Sequence, residues 1–274
     1  MTHYYCTMAD RDYLTKTLAL HESLERYCRP YHLWVLTLDE QTQQLLRALR
    51  LPRITTMPLT LLEAQQPLLP AAKVSHQYWH CYVWTCKSHW IYHLLTEYHL
   101  KQLYYIDSDA YFFHDPTQMY QDIGNAQIAF TKHNFSHKYA HCECNGTYNG
   151  GFLYVRNKPI VLQCLSEWSK VCRKFRYGPL TDQIHFNIWP QRWPVHVIKH
   201  IGVNVAPWNY ERYKYNVRDS RVYMNGASPL IWYHFHKGLR DDIVNPIIAN
   251  YVYQPYANAL ARAQTKIAEV NCKL

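Results

Sequence analysis

The amino-acid sequence predicts an α/β protein built on a mostly parallel β-sheet of the doubly wound type. Between residues 3 and 58, segments typical of buried strands alternate with two helical segments, and parallel strands need such crossovers. A further buried strand, "LYYI" at 103–106, runs directly into two aspartates. Because ligands of open α/β sheets lie beyond the carboxyl ends of the strands, this position predicts a functional site.

The N-terminal part has the order strand, helix, strand, helix, strand. "HYYCTM" at 3–8, "YHLWVLTL" at 31–38 and "ITTM" at 54–57 are short and rich in residues that favour strands. Apolar residues at helical spacing predict one helix from about residue 13 to residue 28 and another over 40–50.

The middle of the chain predicts one long helix between two sheet strands. A proline-broken connection over 58–73 leads into a helical segment from Ser75 to about Leu100, which is rich in Trp, Tyr and His. The strand at 103–106 follows, then a short helix at 117–123, "TQMYQDI", and a strand at 127–131, "QIAFT".

The last part of the chain mixes loops, strands and helices. The polar segment 133–147 lacks periodicity and predicts a loop, and "TYNGGFLYVRN" at 147–157 predicts a turn followed by a strand. No repeat or linker divides the chain, which predicts a single domain over 1–274. The other predicted elements are a helix from Pro159, a helix at 180–189 capped by Thr181 or Asp182, strand-and-loop segments at 195–210 and 229–241, and a helical tail over 243–274.

The composition favours a folded protein with an anionic partner. Of the 274 residues, 48% are hydrophobic and 18% are charged, which argues against disorder. The net charge of +9 suits a phosphorylated small molecule, an anionic membrane face or nucleic acid. Nucleic acid is the weaker alternative because no basic-aromatic run or helix-turn-helix pattern occurs.

The cellular setting is expected to be the cytoplasm, with peripheral contact at the inner membrane face as an option. The sequence has no signal-peptide pattern and no apolar stretch long enough to span a bilayer. The nine cysteines are therefore expected to be reduced. "HCECNG" at 141–146 has no second pair at zinc-finger spacing, so a structural zinc site is not predicted there.

Asp107 and Asp109 are the first candidate site residues. Two carboxylates at i and i+2 of a continuous strand would point the same way and repel each other. A divalent cation at the strand end would remove the repulsion and use both as oxygen ligands. A turn in which the Asp side chains cap the backbone is the alternative.

Four segments, taken in order, resemble the GT-A glycosyltransferases, in particular the family 8-like bacterial members. They are "YYIDSDAYFF" at 104–113, "YNGGFLYVRN" at 148–157 followed by "TDQIHFN" at 181–187, "NVAPWNY" at 204–210, and "WYHFHKG" at 232–238. The resemblance implies a glycosyltransferase with a Rossmann-like sheet that uses a nucleotide-diphosphate sugar, with a UDP-sugar expected. It also implies a nucleotide-binding half over 1–115 and an acceptor- and sugar-side half over 116–274.

The resemblance further implies a metal site for Mn²⁺ or Mg²⁺. Asp107 and Asp109 would be ligands, and Asp107 would also contact the ribose. The late histidine segment would supply a third ligand. His234 fits the family pattern best, but Lys237 is an additional residue before Gly238, so His234 and His236 both remain candidates. The metal would act as a Lewis acid on the diphosphate.

The sugar side of the site is assigned by the same resemblance. It places Asn149 near the donor sugar, and Asp182 and Gln183 beneath its anomeric carbon. Turn formation at Asn149 and helix capping at Asp182 are the structural alternatives. Family likeness favours transfer of a hexose with retention of configuration.

Further residues are assigned to the donor nucleotide. The end of the first strand would hold the base and ribose, unless its polar residues only cap the next helix. The basic residues after the late histidines would neutralise the diphosphate or form a solvated positive patch. The segment 78–85 would lie beside the donor. The assigned residues are Thr7, Asp10, Asp12, Lys73, Lys237 and Arg240.

Three other functions compete with this hypothesis. A sugar-phosphate nucleotidyltransferase would carry a glycine-rich loop after the first strand, and "TMADRDY" has no glycine. A catalytically inert carbohydrate- or nucleotide-binding protein would not need the acidic and histidine residues noted above. The hypothesis of a nucleic-acid-binding protein is supported by the net charge alone. The acceptor stays open among a glycan of polysaccharide biosynthesis such as lipopolysaccharide, a lipid-linked acceptor, a protein side chain and a small molecule.

Overall fold

A seven-stranded sheet forms the centre of the protein, and helices cover both of its faces. The computed structural model describes residues 2–75, 78–174, 182–240 and 242–272. The strands are β1 (His3–Ala9), β2 (Tyr31–Thr37), β3 (Ile54–Pro58), β4 (Gln102–Ile106), β5 (Ala110–Phe112), β6 (Ile128–Lys132), β7 (Tyr148–Arg156), β8 (Val195–Val197), β9 (Tyr215–Arg218), β10 (Arg221–Met224), β11 (Ser228–Pro229) and β12 (Trp232–His234).

The central sheet is mostly parallel, as predicted. Its strand order is β3-β2-β1-β4-β7-β6-β8. The first four strands run parallel, and β8 is parallel to β6. Strand β7 is antiparallel to both of its neighbours, β4 and β6. The carboxyl end of β4 therefore meets the amino end of β7, which brings the Asp pair beside the "YNGG" segment.

Two helical layers enclose the sheet. The helices are α1 (Leu14–Tyr27), α2 (Glu40–Leu49), α3 (Leu59–Gln65), α4 (Leu68–Ser75), α5 (Trp79–Thr96), α6 (Thr117–Ile123), α7 (Pro159–Cys172), α8 (Trp189–Arg192), α9 (Pro246–Ile248) and α10 (Gln254–Asn271). Helices α5 and α7 pack on one face, and α1, α2, α6 and α10 contribute to the core on the other. Cys6 faces the first core and Tyr5 the second, so β1 is buried on both sides.

A two-stranded ribbon connects the end of the chain to the functional edge of the sheet. Strand β12 pairs antiparallel with β5, and His234 lies opposite Ala110. The backbone N–H of Phe235 donates to the carbonyl oxygen of Asp109 at 2.8 Å. This pairing brings the late histidines next to the Asp pair although more than a hundred residues separate them in sequence.

Several predicted elements differ in detail from the observed ones. The "YNGG" segment is not a turn but the start of β7, where it pairs with β6 across a register shift at Phe130 and Thr131. The predicted loop at 133–147 contains 3₁₀ turns over His137–Asn145. The helix predicted at 180–189 is a 3₁₀ segment, Asp182–Ile188, and Thr181 lies outside the described residues.

One further segment was missed by the sequence patterns, whereas the predicted helical tail is helical from Pro246 to Asn271. The hairpin of β9 and β10 was missed, because its turn residues Asp219 and Ser220 adopt positive φ without the glycine that usually signals such a turn. The helical tail begins with α9 and a π-helical turn, Ala249–Tyr253, before α10. None of the helices in the described part of the chain combines the length and apolar character needed to cross a bilayer.

Substitution of Tyr256 measures how much the contact of α10 with the β5–β12 ribbon stabilises the fold. Its ring stacks on Phe235 at 3.7 Å between centroids, and its buried hydroxyl has no hydrogen-bond partner among the described residues. Tyr256→Ala should lower the free energy of unfolding by about 3–5 kcal/mol, because it leaves a large cavity. Tyr256→Phe should be nearly neutral, since it removes only the unpartnered hydroxyl. Urea unfolding would measure both, and equal losses would contradict this account.

Candidate active site

The two aspartates lie in the tight turn between β4 and β5. The backbone N–H of Asp107 donates to Gly151 O at 2.9 Å, and that of Ala110 donates to Asp107 O at 3.1 Å. The Asp107 side chain is 31% exposed and accepts the Tyr105 hydroxyl at 2.7 Å, whereas the Asp109 side chain is buried. The pair is therefore not on a continuous strand, and neither carboxylate caps the turn.

A cluster of side chains around Asp109 has the composition of a metal site. Ligand atoms of Asp109, His234 and His236 lie within 4.8 Å of one another. His234 Nε2 is 3.1 Å from Asp109 Oδ1 and 3.9 Å from Asp107 Oδ2. Asp109, with Asp107 beside it, offers the oxygen ligands that Mn²⁺ and Mg²⁺ take, and the two imidazoles suit a transition metal such as Mn²⁺ better than Mg²⁺. The residues present fit the predicted cation, and both late histidines have a nitrogen in the cluster that would hold it.

The electrostatics of the cluster follow from burial and mutual attraction. Burial alone would raise the pKa of Asp109, but the His234 imidazole beside it holds that pKa below its usual value. Burial alone would lower the pKa of His234, but the carboxylates of Asp109 and Asp107 raise it. A cation held by Asp109 and His234 would compete with a proton on His234 Nε2, because a histidine must be deprotonated at the nitrogen that binds a metal.

Lys87 lies at the centre of the site and was missed by the sequence analysis. This buried lysine of α5 has its Nζ 3.1 Å from Asp182 Oδ2 and 3.8 Å from Asp107 Oδ1, and it donates to Gly150 O at 3.0 Å. Burial favours the neutral amine, but Asp182 and Asp107 raise its pKa and keep it charged. The available signal was a single lysine in the middle of an otherwise largely apolar helix.

Asp182 and Gln183 border the amino end of β7. Burial raises the pKa of Asp182 even though Lys87 lies beside it. The Gln183 side chain accepts from the backbone N–H of Gly150 at 2.9 Å and donates to Asn145 O at 3.2 Å. The Asn149 side chain accepts from the backbone N–H of Gly151 at 3.0 Å. Asn149 and Gln183 thus bond to the two glycines of β7, and Asp182 is connected to them through Lys87, which also donates to Gly150 O.

Two cavities, of about 370 Å³ and 340 Å³, meet at these side chains. The walls that they share are formed by Trp84, Lys87, Asp107, His234 and His236. The first, which we call the sugar-side cavity, is also lined by Asn149, Asp182, Gln183, Phe135, Trp208, Lys237 and Arg240. The second, which we call the β1-side cavity, is also lined by Asp10, Tyr13, Trp79, His80, Val83 and Asp109.

Three residues assigned to the nucleotide are not among those that line either cavity. Thr7 is fully buried, and its hydroxyl is bonded to the Ser108 hydroxyl at 2.8 Å. Asp12 is exposed, and Lys73 is bonded to Glu63 at 3.2 Å. Their assignment to the nucleotide remains a prediction without support from this geometry.

Two other assigned residues line a cavity and also have structural partners. Asp10 lines the β1-side cavity while it accepts from the backbone N–H of Tyr13 at 3.0 Å, so the capping alternative is also realised. Arg240 reaches the sugar-side cavity but is held by two hydrogen bonds to Asp242, at 2.7 and 2.6 Å.

Solved structures share this architecture. A galactosyltransferase, LgtC, determined in complex with donor and acceptor sugar analogs, matches with a TM-score of 0.60 at 13% identity over 94% of this chain and 95% of its own. The glycosyltransferase GlyE of Streptococcus pneumoniae TIGR4 matches with a TM-score of 0.56 at 14% identity over 100% of this chain and 64% of its own. The fold is therefore that of the GT-A glycosyltransferases.

Sequence comparison gives the family itself. The model of the nucleotide-diphospho-sugar transferase family matches residues 31–199. The uncharacterized protein YfnD of Bacillus subtilis (strain 168) is 30% identical over 247 residues, which are 85% of this chain and 77% of that protein. The chain belongs to the nucleotide-diphospho-sugar transferase family and is a glycosyltransferase, as the sequence motifs predicted.

Gly151 provides a test of how tightly the site is packed. A Cβ there would lie 2.6 Å from His234 Cε1, 2.8 Å from Asn149 Oδ1 and 2.9 Å from Asp107 Oδ2. Gly151→Ala should therefore displace these groups and weaken Mn²⁺ binding measured by calorimetry. Gly150→Ala is the matched control, since its Cβ would meet Gln183 at 3.1 Å and Lys87 Nζ at 3.6 Å and none of the candidate metal ligands. Equal Mn²⁺ affinity in the two variants would show that Gly151 does not limit the site.

Proposed function

We propose that this glycosyltransferase is metal-dependent and moves a hexose-type sugar from a UDP-sugar to an acceptor. The observation that carries the proposal is the cluster of Asp109, His234 and His236 at the junction of two cavities. One cavity suits the nucleotide and the other suits the transferred sugar and the acceptor. Mn²⁺ or Mg²⁺ would be held by this cluster, with Asp107 beside it as a further ligand and a ribose contact.

The β1-side cavity is the proposed nucleotide site. Tyr13 and Trp79 offer aromatic faces for a base, and Asp10 offers a carboxylate for base or ribose hydroxyl groups. Both rings are more than a third exposed, so a planar ligand can reach them. From this cavity the diphosphate would extend to the metal ligands at the junction.

The site must stabilise the negative charge of the diphosphate leaving group. A bound divalent cation would stabilise the negative charge that develops on the leaving group. The chain adds positive charge of its own through Lys237, which lines the sugar-side cavity. Lys87 is buried next to Asp107, and a charge there interacts strongly because water is largely excluded.

The amino end of β7 is the proposed site of the donor sugar. The Asp182 carboxylate would favour positive charge on the anomeric carbon, which grows in the transition state. The Gln183 and Asn149 amides would contact sugar hydroxyls through the hydrogen-bonding capacity left over from their backbone bonds. Transfer with retention of configuration is our hypothesis, based on family 8 likeness.

The acceptor is proposed to be a glycan, a lipid-linked sugar or a protein, bound at the outer part of the sugar-side cavity. Phe135 and Trp208 offer apolar surface for a sugar ring there. The net charge of +9 is compatible with work at an anionic membrane face on the cytoplasmic side. We treat residues 1–274 as one domain, because β12 from the second half pairs with β5 from the first.

Asp109→Asn tests metal dependence directly. The amide keeps the volume of the carboxylate but weakens cation binding, so Mn²⁺ affinity and UDP-sugar hydrolysis should both fall by roughly 100-fold or more. Calorimetry with Mn²⁺ and a hydrolysis screen over UDP- and GDP-sugars would measure these effects. Asp219→Asn, in the exposed turn of the β9–β10 hairpin, is the control. Full activity of the unmodified protein in excess chelator would disprove metal dependence.

The two late histidines should not contribute equally. His234 is buried with its Nε2 at 3.1 Å from Asp109 Oδ1, whereas His236 is exposed. His234→Ala should weaken Mn²⁺ binding by roughly 100-fold or more, because the loss of a ligand costs at least as much as the loss of a residue that only supports one. His236→Ala should cost less, because an exposed position can be replaced by water as a ligand. The opposite order of affinities would identify His236 as the principal ligand.

A further inference from the structure

His133 lies just beyond β6 and does not belong to any of the motifs that identify the active site. It is buried, it lines the sugar-side cavity, and its Nε2 is 3.0 Å from Asn149 Nδ2. Its ring stacks on Phe135 at 4.6 Å between centroids with nearly parallel planes. The imidazole is thus fixed in position next to a proposed sugar-binding amide.

The direction of the bond between His133 and Asn149 follows from the surrounding donors. The backbone N–H of Gly151 donates to Asn149 Oδ1 at 3.0 Å, which fixes which end of the amide is oxygen. The amide nitrogen of Asn149 can only donate, so His133 Nε2 must accept. Burial lowers the pKa of His133 to about 4, so the ring is neutral near pH 7 and its proton resides on Nδ1.

The "APWN" segment holds the backbone of His133. The carbonyl oxygen of His133 accepts from Trp208 Nε1 at 2.9 Å and from Asn209 Nδ2 at 2.8 Å. Its backbone N–H donates to Thr147 O at 2.9 Å. The Trp208 ring also packs edge-on against His234 and His236, with centroids at 5.2 and 5.6 Å. One tryptophan therefore links the position of His133 to that of the metal-site histidines.

We infer that His133 is a positioning residue, which holds the Asn149 amide with its oxygen toward Gly151 and its remaining N–H available to the donor sugar. The inference rests on the proposed function in that Asn149 faces the sugar. The orientation matters because Asn149 Oδ1, Asp107 Oδ2 and His234 Cε1 all lie within 3 Å of the point where a Gly151 Cβ would be. A rotated amide would set its donor nitrogen against the Gly151 N–H, which would then lose its acceptor.

Two substitutions of His133 distinguish positioning from packing. In Gln the side-chain oxygen can reach the place of Nε2, whereas in Asn it reaches only the place of Nδ1. His133→Gln should keep kcat for UDP-sugar hydrolysis within roughly threefold, and His133→Asn should lower it by roughly 10- to 100-fold, as expected when a buried donor loses its acceptor. KM for the donor and the Mn²⁺ affinity should stay nearly unchanged in both.

The proton position provides a readout that does not need turnover. A long-range ¹H–¹⁵N correlation spectrum at pH 7 should show His133 neutral with its proton on Nδ1, with the signal assigned by its loss in His133→Gln. A proton on Nε2 would overturn the inference, as would equal kcat losses in the Gln and Asn variants or normal kcat in Asn. If the unmodified protein hydrolyses no nucleotide-sugar, the proposed function fails, and the proton position still decides the His133 arrangement.

Discussion

The antiparallel pairing of β12 with β5 is the contact on which the rest of the site depends. Strand β5 begins one residue after Asp109 and β12 ends at His234, so the Ala110–His234 register sets the 3.1 Å approach of imidazole and carboxylate. A slip by one residue would turn His234 to the opposite face of the ribbon. Helix α10 supports this register from behind through the stacked rings of Tyr256 and Phe235.

Buried charge is the second constraint, and it explains why each buried cationic side chain of the site lies next to a carboxylate. Lys87 with Asp182 and His234 with Asp109 are each nearly removed from water. Burial of such charged groups costs more desolvation free energy than burial of a hydrophobic pair. Removal of one partner leaves the other charge buried without compensation. Such a site lowers the stability of the fold, and it produces a strong electrostatic field where a diphosphate sugar would react.

The polar residues beyond β6 show how supporting interactions extend the site. Trp208 and Asn209 hold the His133 backbone, and the His133 ring accepts from Asn149. The "APWN" segment therefore contributes through its hydrogen bonds and through the edge-on packing of Trp208 against the late histidines. A motif that carries no titratable residue of its own can thus determine the geometry of groups that do.

The sequence by itself determined the alternation of strands and helices up to β3, the strand that ends at the Asp pair and the late histidines, because each depends on a local pattern of residues. It missed the β9–β10 hairpin and the helices α3 and α4 in the proline-broken connection. Only the tertiary structure decided that Lys87 meets Asp107, Gly150 and Asp182, since helix packing brings these distant segments together. It also decided that Thr7 bonds to Ser108 and that Lys73 bonds to Glu63 rather than lining a cavity. Local sequence patterns determine periodicity and turns, whereas the contacts of a buried charge depend on how helices and strands that are distant in sequence pack together.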